Sequence, residues 1–366
     1  MARFEGALAV AAAQAGLVPA AHAQAIARVC SDARFDAAEL ARAAREAGTL
    51  AIPFVERLTA QVAAVSPEAA HHVHFGATSQ DVIDSAAVLC LKPAAERIIE
   101  LTRDLGDAAA ALAERYAATP TVARTLLQPA LAVPFGWKAA VWLSLVARGY
   151  QGFRRAAQDA CVLQLGGPAG TLSAFGAKGA AVAAALAAEL SLPAAPMTWH
   201  SARDGFARLG SESAILAGAA AKIARDVSLL MQPEIGEAAE PARAGRGGSS
   251  SMPHKRNPAL SMLALEAAQR APGLAATLLV QLAPEHERGL GQWQGQWFTL
   301  RELFMAASSA LAAMAAVLEG LEVDTDAMRA NVERLRARLD AGAAEGYGAA
   351  AAMIEGALAT WRGKGP

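Results

Sequence analysis

Val88-Leu-Cys-Leu-Lys-Pro-Ala-Ala-Glu-Arg-Ile-Ile-Glu-Leu-Thr-Arg-Asp-Leu-Gly-Asp-Ala-Ala-Ala-Ala-Leu-Ala-Glu-Arg-Tyr116 sets the reading of the whole chain. Within it Val88, Leu91, Ala95, Ile98, Thr102, Leu105, Ala109, Leu112 and Tyr116 follow one another at alternating steps of three and four. The rhythm returns at Phe206, Leu209, Ser213, Leu216, Ala220, Ile223, Val227 and Leu230, and again at Trp297, Leu300, Phe304, Ala307, Leu311, Met314, Leu318 and Leu321. An a/d pattern held for about four heptads in each segment predicts long helices packed side by side in a bundle. Pro93 is expected to kink the first of them.

Composition points the same way. Of 366 residues 54% are hydrophobic but only 5% aromatic, and the apolar share is mostly alanine, a strong helix former and a poor strand former. The fold class is therefore all-α. The length exceeds what one compact core usually holds, so the expected layout is a small N-terminal helical domain over 1–75, a central long-helix bundle over 76–322 and a short C-terminal remnant over 323–366. The first piece carries short helical patterns broken at Gly48, Pro53 and Pro67, and Val323 to Asp326 is expected to turn. Shorter helical patterns occupy 137–152 and 258–281, the latter with Asn257 as N-cap and Pro258 at the first helical position.

A formal net charge of −1, with no basic tract longer than His254-Lys255-Arg256, removes the attraction on which non-specific nucleic-acid binding depends. Three distant cysteines, Cys30, Cys90 and Cys161, fit neither a disulfide framework nor a zinc knuckle and suggest a reducing, cytoplasmic setting. Uncharged stretches such as Leu303 to Leu318 fall short of the roughly 18 apolar residues of a membrane span. Gly6 to Ala27 carries no charge, yet Glu5 cancels Arg3 and Gln14, Gly16 and Pro19 interrupt the apolar run, so a secretory signal is not expected.

Two glycine-rich segments interrupt the helices: Gln164 to Thr171 and Ala244 to Pro253. Loops held by rigid helices are where chemistry tends to sit. Gly245 to Pro258, GRGGSSSMPHKRNP, runs into a helix start, where backbone amides with Lys255 and Asn257 would suit an anionic oxygen. A flexible linker is the competing reading. It is not a nucleotide P-loop, because no Gly-Lys-Ser/Thr follows the glycines. His71, His72 and His74 have possible metal-ligand spacing, but no second ligand group accompanies them and no metal is expected. Trp293 and Trp297 read as helix packing, and His200 and Arg203 equally well as buried hydrogen-bonding groups or substrate contacts.

Gly248-Ser-Ser-Ser-Met-Pro-His-Lys-Arg-Asn257 resembles the fumarase/aspartase superfamily signature GSSxMPxKxN at every defined position. His74-Phe-Gly-Ala-Thr-Ser-Gln-Asp-Val-Ile-Asp84 is similar to the first of the other two regions from which the superfamily assembles its sites, and Arg124-Thr-Leu-Leu-Gln128 to the second. The resemblance implies an all-α enzyme with no cofactor, a homotetramer whose sites are each built from three subunits, and a C-terminal helical domain larger than this chain's. It implies proton transfer at the carbon next to a carboxylate, through an aci-carboxylate. Ser249 is then the acid or base at carbon, in a loop that closes over the substrate, with Lys255 and Asn257 holding the stabilised carboxylate. His74, Thr78, Ser79, Gln80, Arg124, Thr125, Gln128 and Arg288 become substrate-binding candidates.

Adenylosuccinate-type members place histidines in both the second region and the N-terminal domain. Here the corresponding runs read Arg124-Thr-Leu-Leu-Gln-Pro129 and Gly48-Thr-Leu-Ala-Ile-Pro53. Together with Gly166 to Leu172, Trp199 to Asp204 and Glu285 to Arg288, these runs look most like the superfamily's cycloisomerases, whose substrate is a tricarboxylate. Three carboxylates call for several cations; Lys255, Arg288, Arg124 and Arg256 are the candidates.

Overall fold

The structure, a computed structural model, describes residues 1–252, 255–338 and 347–363. Helices dominate it: α1 (Ala2–Gln14), α2 (Ala20–Asp32), α3 (Ala37–Ala47), α4 (Ala51–Ala63), α5 (Pro67–Ala70) and α6 (Ser79–Arg115), then α7 (Phe135–Ala160), α8 (Gly179–Leu190) and α9 (Asp204–Leu230), then α10 (Ala259–Val280), α11 (Gln292–Glu319), α12 (Thr325–Arg336) and α13 (Ala350–Trp361). A hairpin of β1 (Pro120–Thr125) and β2 (Gln128–Pro134), which the periodicity does not reveal, precedes α7, and a two-residue ladder pairs β3 (Ala238–Ala239) with β4 (Glu322–Val323).

The heptads mark the interior. Every a/d position from Val88 to Leu112 and from Phe206 to Leu230 is buried, as are those from Leu300 to Leu321; Tyr116 and Trp297 are half-buried. The polar members need no distant partner: the Thr102 hydroxyl donates to the Ile98 carbonyl and that of Ser213 to Leu209, each at 2.7 Å. Pro93 lies inside α6 without ending it.

By contacts the chain divides into two units. The first comprises Met1–Ala94, Ala157–Ala207 and Leu279–Trp297. Its N-terminal core gathers Ala12, Ile26, Leu40, Phe54, Leu58 and Val62. Gly48 ends α3 at φ 68°, and Pro67 opens α5. Pro53, expected as a break, lies inside the first turn of α4, where the missing N–H costs no helical bond. The second unit comprises Ala95–Ala156, Arg208–Leu278 and Phe298–Pro366. Phe153 of α7 meets Phe304 of α11, and Gly210 of α9 leaves room for Leu278 of α10, whose Cδ1 would lie 2.2 Å from an added Cβ.

Three local expectations are corrected. Residues 323–326 do not form a turn: Val323 closes the β3–β4 ladder, and Asp324 caps α12 by accepting from the Asp326 and Ala327 amides. Asn257 is not the cap of α10, which begins at Ala259; the carboxylate of Glu240 accepts from the Leu260 and Ser261 amides at 3.0 and 2.7 Å instead. Finally, Ser173–Leu190 and Gln292–Glu319 are long and apolar enough to cross a membrane. The uncharged Leu303–Leu318 stretch is flanked by Arg301, Glu302 and Glu319, and 56% of the apolar window of α11 is buried inside the protein.

Candidate active site

In the first unit the candidate residues gather at the start of α6. Thr78 precedes the helix, and Asp81 reaches back to accept from the Thr78 amide at 3.0 Å, half of a capping box. The fully buried Asp81 carboxylate takes three further donors: the amides of Gly166 and Gly167 at 2.9 Å each, and His200 Nε2 at 2.7 Å. Gly166 cannot carry a side chain, because an added Cβ would meet Thr198 Oγ1 at 2.5 Å and His200 Cε1 at 2.8 Å. One carboxylate thus fastens the glycine-rich loop to the first turn of α6. Thr78 and Ser79 stay half-open beside the positive end of the helix, a natural seat for a carboxylate.

Gln80, expected to offer its amide to substrate, is buried and committed within the protein. Its Nε2 donates to Asp84 Oδ2 and the His200 carbonyl at 3.1 and 2.9 Å, while its Oε1 accepts from Arg288 Nε at 3.0 Å. It therefore aims Arg288, which stays half-buried near His200. Beneath lies a buried ion pair: Arg203 grips Asp84 through two bonds of 2.6 and 3.1 Å, donates to Gln296 and stacks on Trp199 and Phe206. His200 and Arg203 are both buried and hydrogen-bonded within the protein. Trp293 and Trp297 pack edge to face at 5.1 Å. Glu285 binds the Leu290 amide and Gln292 of its own segment.

His74 is anchored rather than free. At φ 60° it places Nδ1 2.7 Å from Oε1 of Glu5, a buried carboxylate on α1. Burial opposes the charged imidazole, but the Glu5 hydrogen bond and charge, helped by Asp81, leave its pKa raised.

In the second unit the Arg124–Gln128 segment is a hairpin tip. Thr125 pairs with Gln128 across Leu126 and Leu127, both in the left-handed region at φ 51° and 64° and both exposed. Such a turn suits asparagine or glycine far better than leucine. Arg124 is not free: it makes two 3.0 Å bonds to the buried carboxylate of Glu237, which also accepts from Thr121 and Asn331. Nearby, burial pushes the Lys138 ammonium pKa down, against the raising effect of Asp226 and Glu237.

The signature loop closes at its neck, where the Asn257 amide donates to the Gly247 carbonyl at 2.7 Å and Asn257 Nδ2 reaches the Gly248 carbonyl at 3.3 Å. Gly247, at φ 70°, has the Asn257 carbonyl oxygen 2.6 Å from where a Cβ would stand. Ser249 Oγ accepts from the Met252 amide at 3.1 Å, and Lys255 is exposed. Arg256 is spoken for, with paired 2.8 Å bonds to Glu322 and a bond to the Glu240 carbonyl. Pro253 and His254 of the signature lie outside the described residues. The expected anion seat at the start of α10 is filled from within, since Glu240 already holds its first free amides.

A family model described as Lyase matches residues 1–273. The chain belongs to the fumarase/aspartase superfamily. Among its superfamily relatives, it is 51% identical over 333 residues to the 3-carboxy-cis,cis-muconate cycloisomerase of Bradyrhizobium diazoefficiens, covering 90% of this chain and 73% of that protein. It is 47% identical over 329 residues to the enzyme of the same name from Pseudomonas aeruginosa, covering 90% and 72%. The crystal structure of 3-carboxy-cis,cis-muconate lactonizing enzyme from Pseudomonas putida matches with a TM-score of 0.86 at 39% identity, over 97% of this chain and 80% of that one. Around the superfamily's three regions, sequence reading misses Asp81, Glu237 and Glu240. The signal for Asp81 is present: with Asp84 it puts two carboxylates at i and i+3 on the helix face that continues through Val88 and Leu91.

Proposed function

We propose that this chain lactonises 3-carboxy-cis,cis-muconate to 4-carboxymuconolactone, a step of protocatechuate breakdown by the β-ketoadipate route. The observation that carries the reading is the 51% identity to a 3-carboxy-cis,cis-muconate cycloisomerase across 90% of the chain. The atoms balance without a leaving group. A substrate carboxylate oxygen bonds to the β-carbon of the neighbouring double bond. The displaced electron pair spreads into the carboxylate on the α-carbon, and one proton then reaches that carbon.

Ser249 delivers the proton in this direction and removes it in reverse, with Lys255 and Asn257 on the aci-carboxylate. Proton transfer from a positioned group contributes about 10²–10⁴-fold. Thr78, Ser79 and Arg288 bind a second carboxylate, aimed by Gln80 and by the His74–Glu5 anchor. Thr125 and Gln128 at the hairpin tip contact the substrate, and Arg124 stiffens that hairpin. A homotetramer brings these regions together from different copies, in the cytoplasm. Loop closure over Ser249 excludes water and makes its ionisation feasible.

Incubation with 3-carboxy-cis,cis-muconate, followed by loss of diene absorbance, tests the reading. Decay that falls by two orders of magnitude or more in Ser249→Ala is the expected result. Absence of decay at micromolar enzyme refutes it. Fumarate release from adenylosuccinate or argininosuccinate would instead identify a lyase, and inertness toward all three substrates a non-catalytic helical scaffold.

A further inference from the structure

Within the second unit a cavity of about 870 Å³ lies among α6, α7 and α13, and none of its lining residues belongs to the three superfamily regions. Trp137, Val141, Ser144, Arg148, Gln151 and Arg155 line one side at alternating steps of four and three, a single stripe along α7. Arg148 and Arg155 stand two turns apart, about 10.5 Å along the axis. Arg103 of α6 faces them, and Trp361 of α13 closes the cavity, its ring 5.6 Å from that of Tyr150. Trp361 is seated firmly: it lies over Gly106, where an added Cβ would come within 2.3 Å of the indole, and its Nε1 donates to Asp107 at 2.7 Å.

Three guanidiniums outnumber the carboxylates of the lining, and Asp104 and Asp107 act through their charge on Arg103 only. Arg103 donates to the Tyr150 hydroxyl and Arg148 to the Ser144 hydroxyl, both neutral acceptors. Among the described residues none of the three guanidiniums forms an ion pair. Glu212 feels the charge of Arg155 without pairing with it. The one carboxylate in the lining, Asp107, is engaged by the indole. The volume falls in the range of small-ligand sites. Flat aromatic faces beside unpaired guanidinium forks recognise a planar ring bearing a carboxylate.

We propose that this cavity binds an aromatic carboxylate, independently of the cycloisomerase reading. The test is isothermal titration of the full chain in its native assembly with 4-hydroxybenzoate, with 4-hydroxybenzyl alcohol as the neutral counterpart. The acid should bind saturably at one site per chain, the alcohol at least about tenfold more weakly, and Arg148→Gln with Arg155→Gln should cost about tenfold or more. These side chains are exposed, so the variant should fold, which circular dichroism checks; Arg103→Gln provides a second removal of charge. Arg288→Gln should bind as the parent does. No saturable binding at millimolar acid overturns the proposal, as does equal binding of the alcohol, full affinity in both arginine variants, or loss of binding in Arg288→Gln, which would put the acid elsewhere. Because the readout is heat of binding, loss of cycloisomerase activity leaves the result unaffected.

Discussion

Asp81→Asn is the sharpest perturbation of the candidate site, because it changes no volume and one atom's chemistry. The native carboxylate accepts four hydrogen bonds in a fully buried position: Gly166 N and His200 Nε2 on Oδ1, Gly167 N and Thr78 N on Oδ2. With the asparagine oxygen in the Oδ1 position, its NH2 faces two backbone donors, and both lose their acceptor. With the amide reversed, NH2 can donate to His200 if the ring changes tautomer, but the Gly166 amide is still stranded. The protein adopts the cheaper option, so at least one buried donor goes unsatisfied, a loss of about 1–3 kcal/mol before the missing charge is counted. Against a total stability of roughly 5–15 kcal/mol this is measurable. Urea unfolding followed by circular dichroism should show a lower midpoint at unchanged slope. The same loss releases the Gly166 amide and loosens the glycine-rich loop against the first turn of α6, so KM for the tricarboxylate should rise more than kcat falls. An Asp81→Asn variant within about 0.5 kcal/mol of the parent would refute this account of how the loop is fastened.

Other consequences follow from the same contacts. The raised His74 pKa means the folded state binds the proton more tightly than the unfolded chain; the anchor is therefore fully present below pH about 6.5 and is lost as pH rises through the raised folded value. Glu5→Gln should flatten the dependence of the urea midpoint on pH above about 6.5. Gly247→Ala forces a Cβ against the Asn257 carbonyl at a positive φ; activity should fall about tenfold or more while the global unfolding midpoint stays put, since the loop opens locally. Glu240→Ala uncaps α10, with an expected loss of about 0.5–2 kcal/mol in urea unfolding. Burial, reinforced by Glu5, pushes the Cys30 thiol up to about 12, so a disulfide reagent at mildly alkaline pH should label exposed Cys90 and leave Cys30 untouched in the native protein.

The bundle was legible because helical burial writes a period into the sequence: from Leu300 to Leu321 every third or fourth residue had to be apolar or, like Ser213 elsewhere, able to satisfy itself. The hairpin at 120–134 was hidden because its tip is built from Leu126 and Leu127, residues with no turn preference, held in a left-handed turn by the strand pairing around them. The chemistry-bearing regions stood out through glycine, serine and lysine in an alanine-rich chain. Which of their side chains remain open did not, because that depends on partners far away in sequence: Gln80 on Arg288, Arg124 on Glu237, Leu260 on Glu240.

Those partners share one logic. Each region that the superfamily uses is a loop, turn or helix end with backbone amides or a cation to satisfy, and each is tied down by a carboxylate buried in the same unit: Asp81 under the first, Glu237 under the hairpin, Glu240 under the signature. A buried carboxylate that meets several donors costs least when all are in place, so each tie is strongly geometry-dependent. The consequence for binding is that Arg124, Arg256 and the start of α10 have their charge answered inside the protein. On the proposed reading, the positive charge left for a tricarboxylate rests on Lys255, Arg288 and the first turn of α6. Removing Arg288 should therefore weaken substrate binding far more than removing Arg256, even though both sit in regions rich in positive charge.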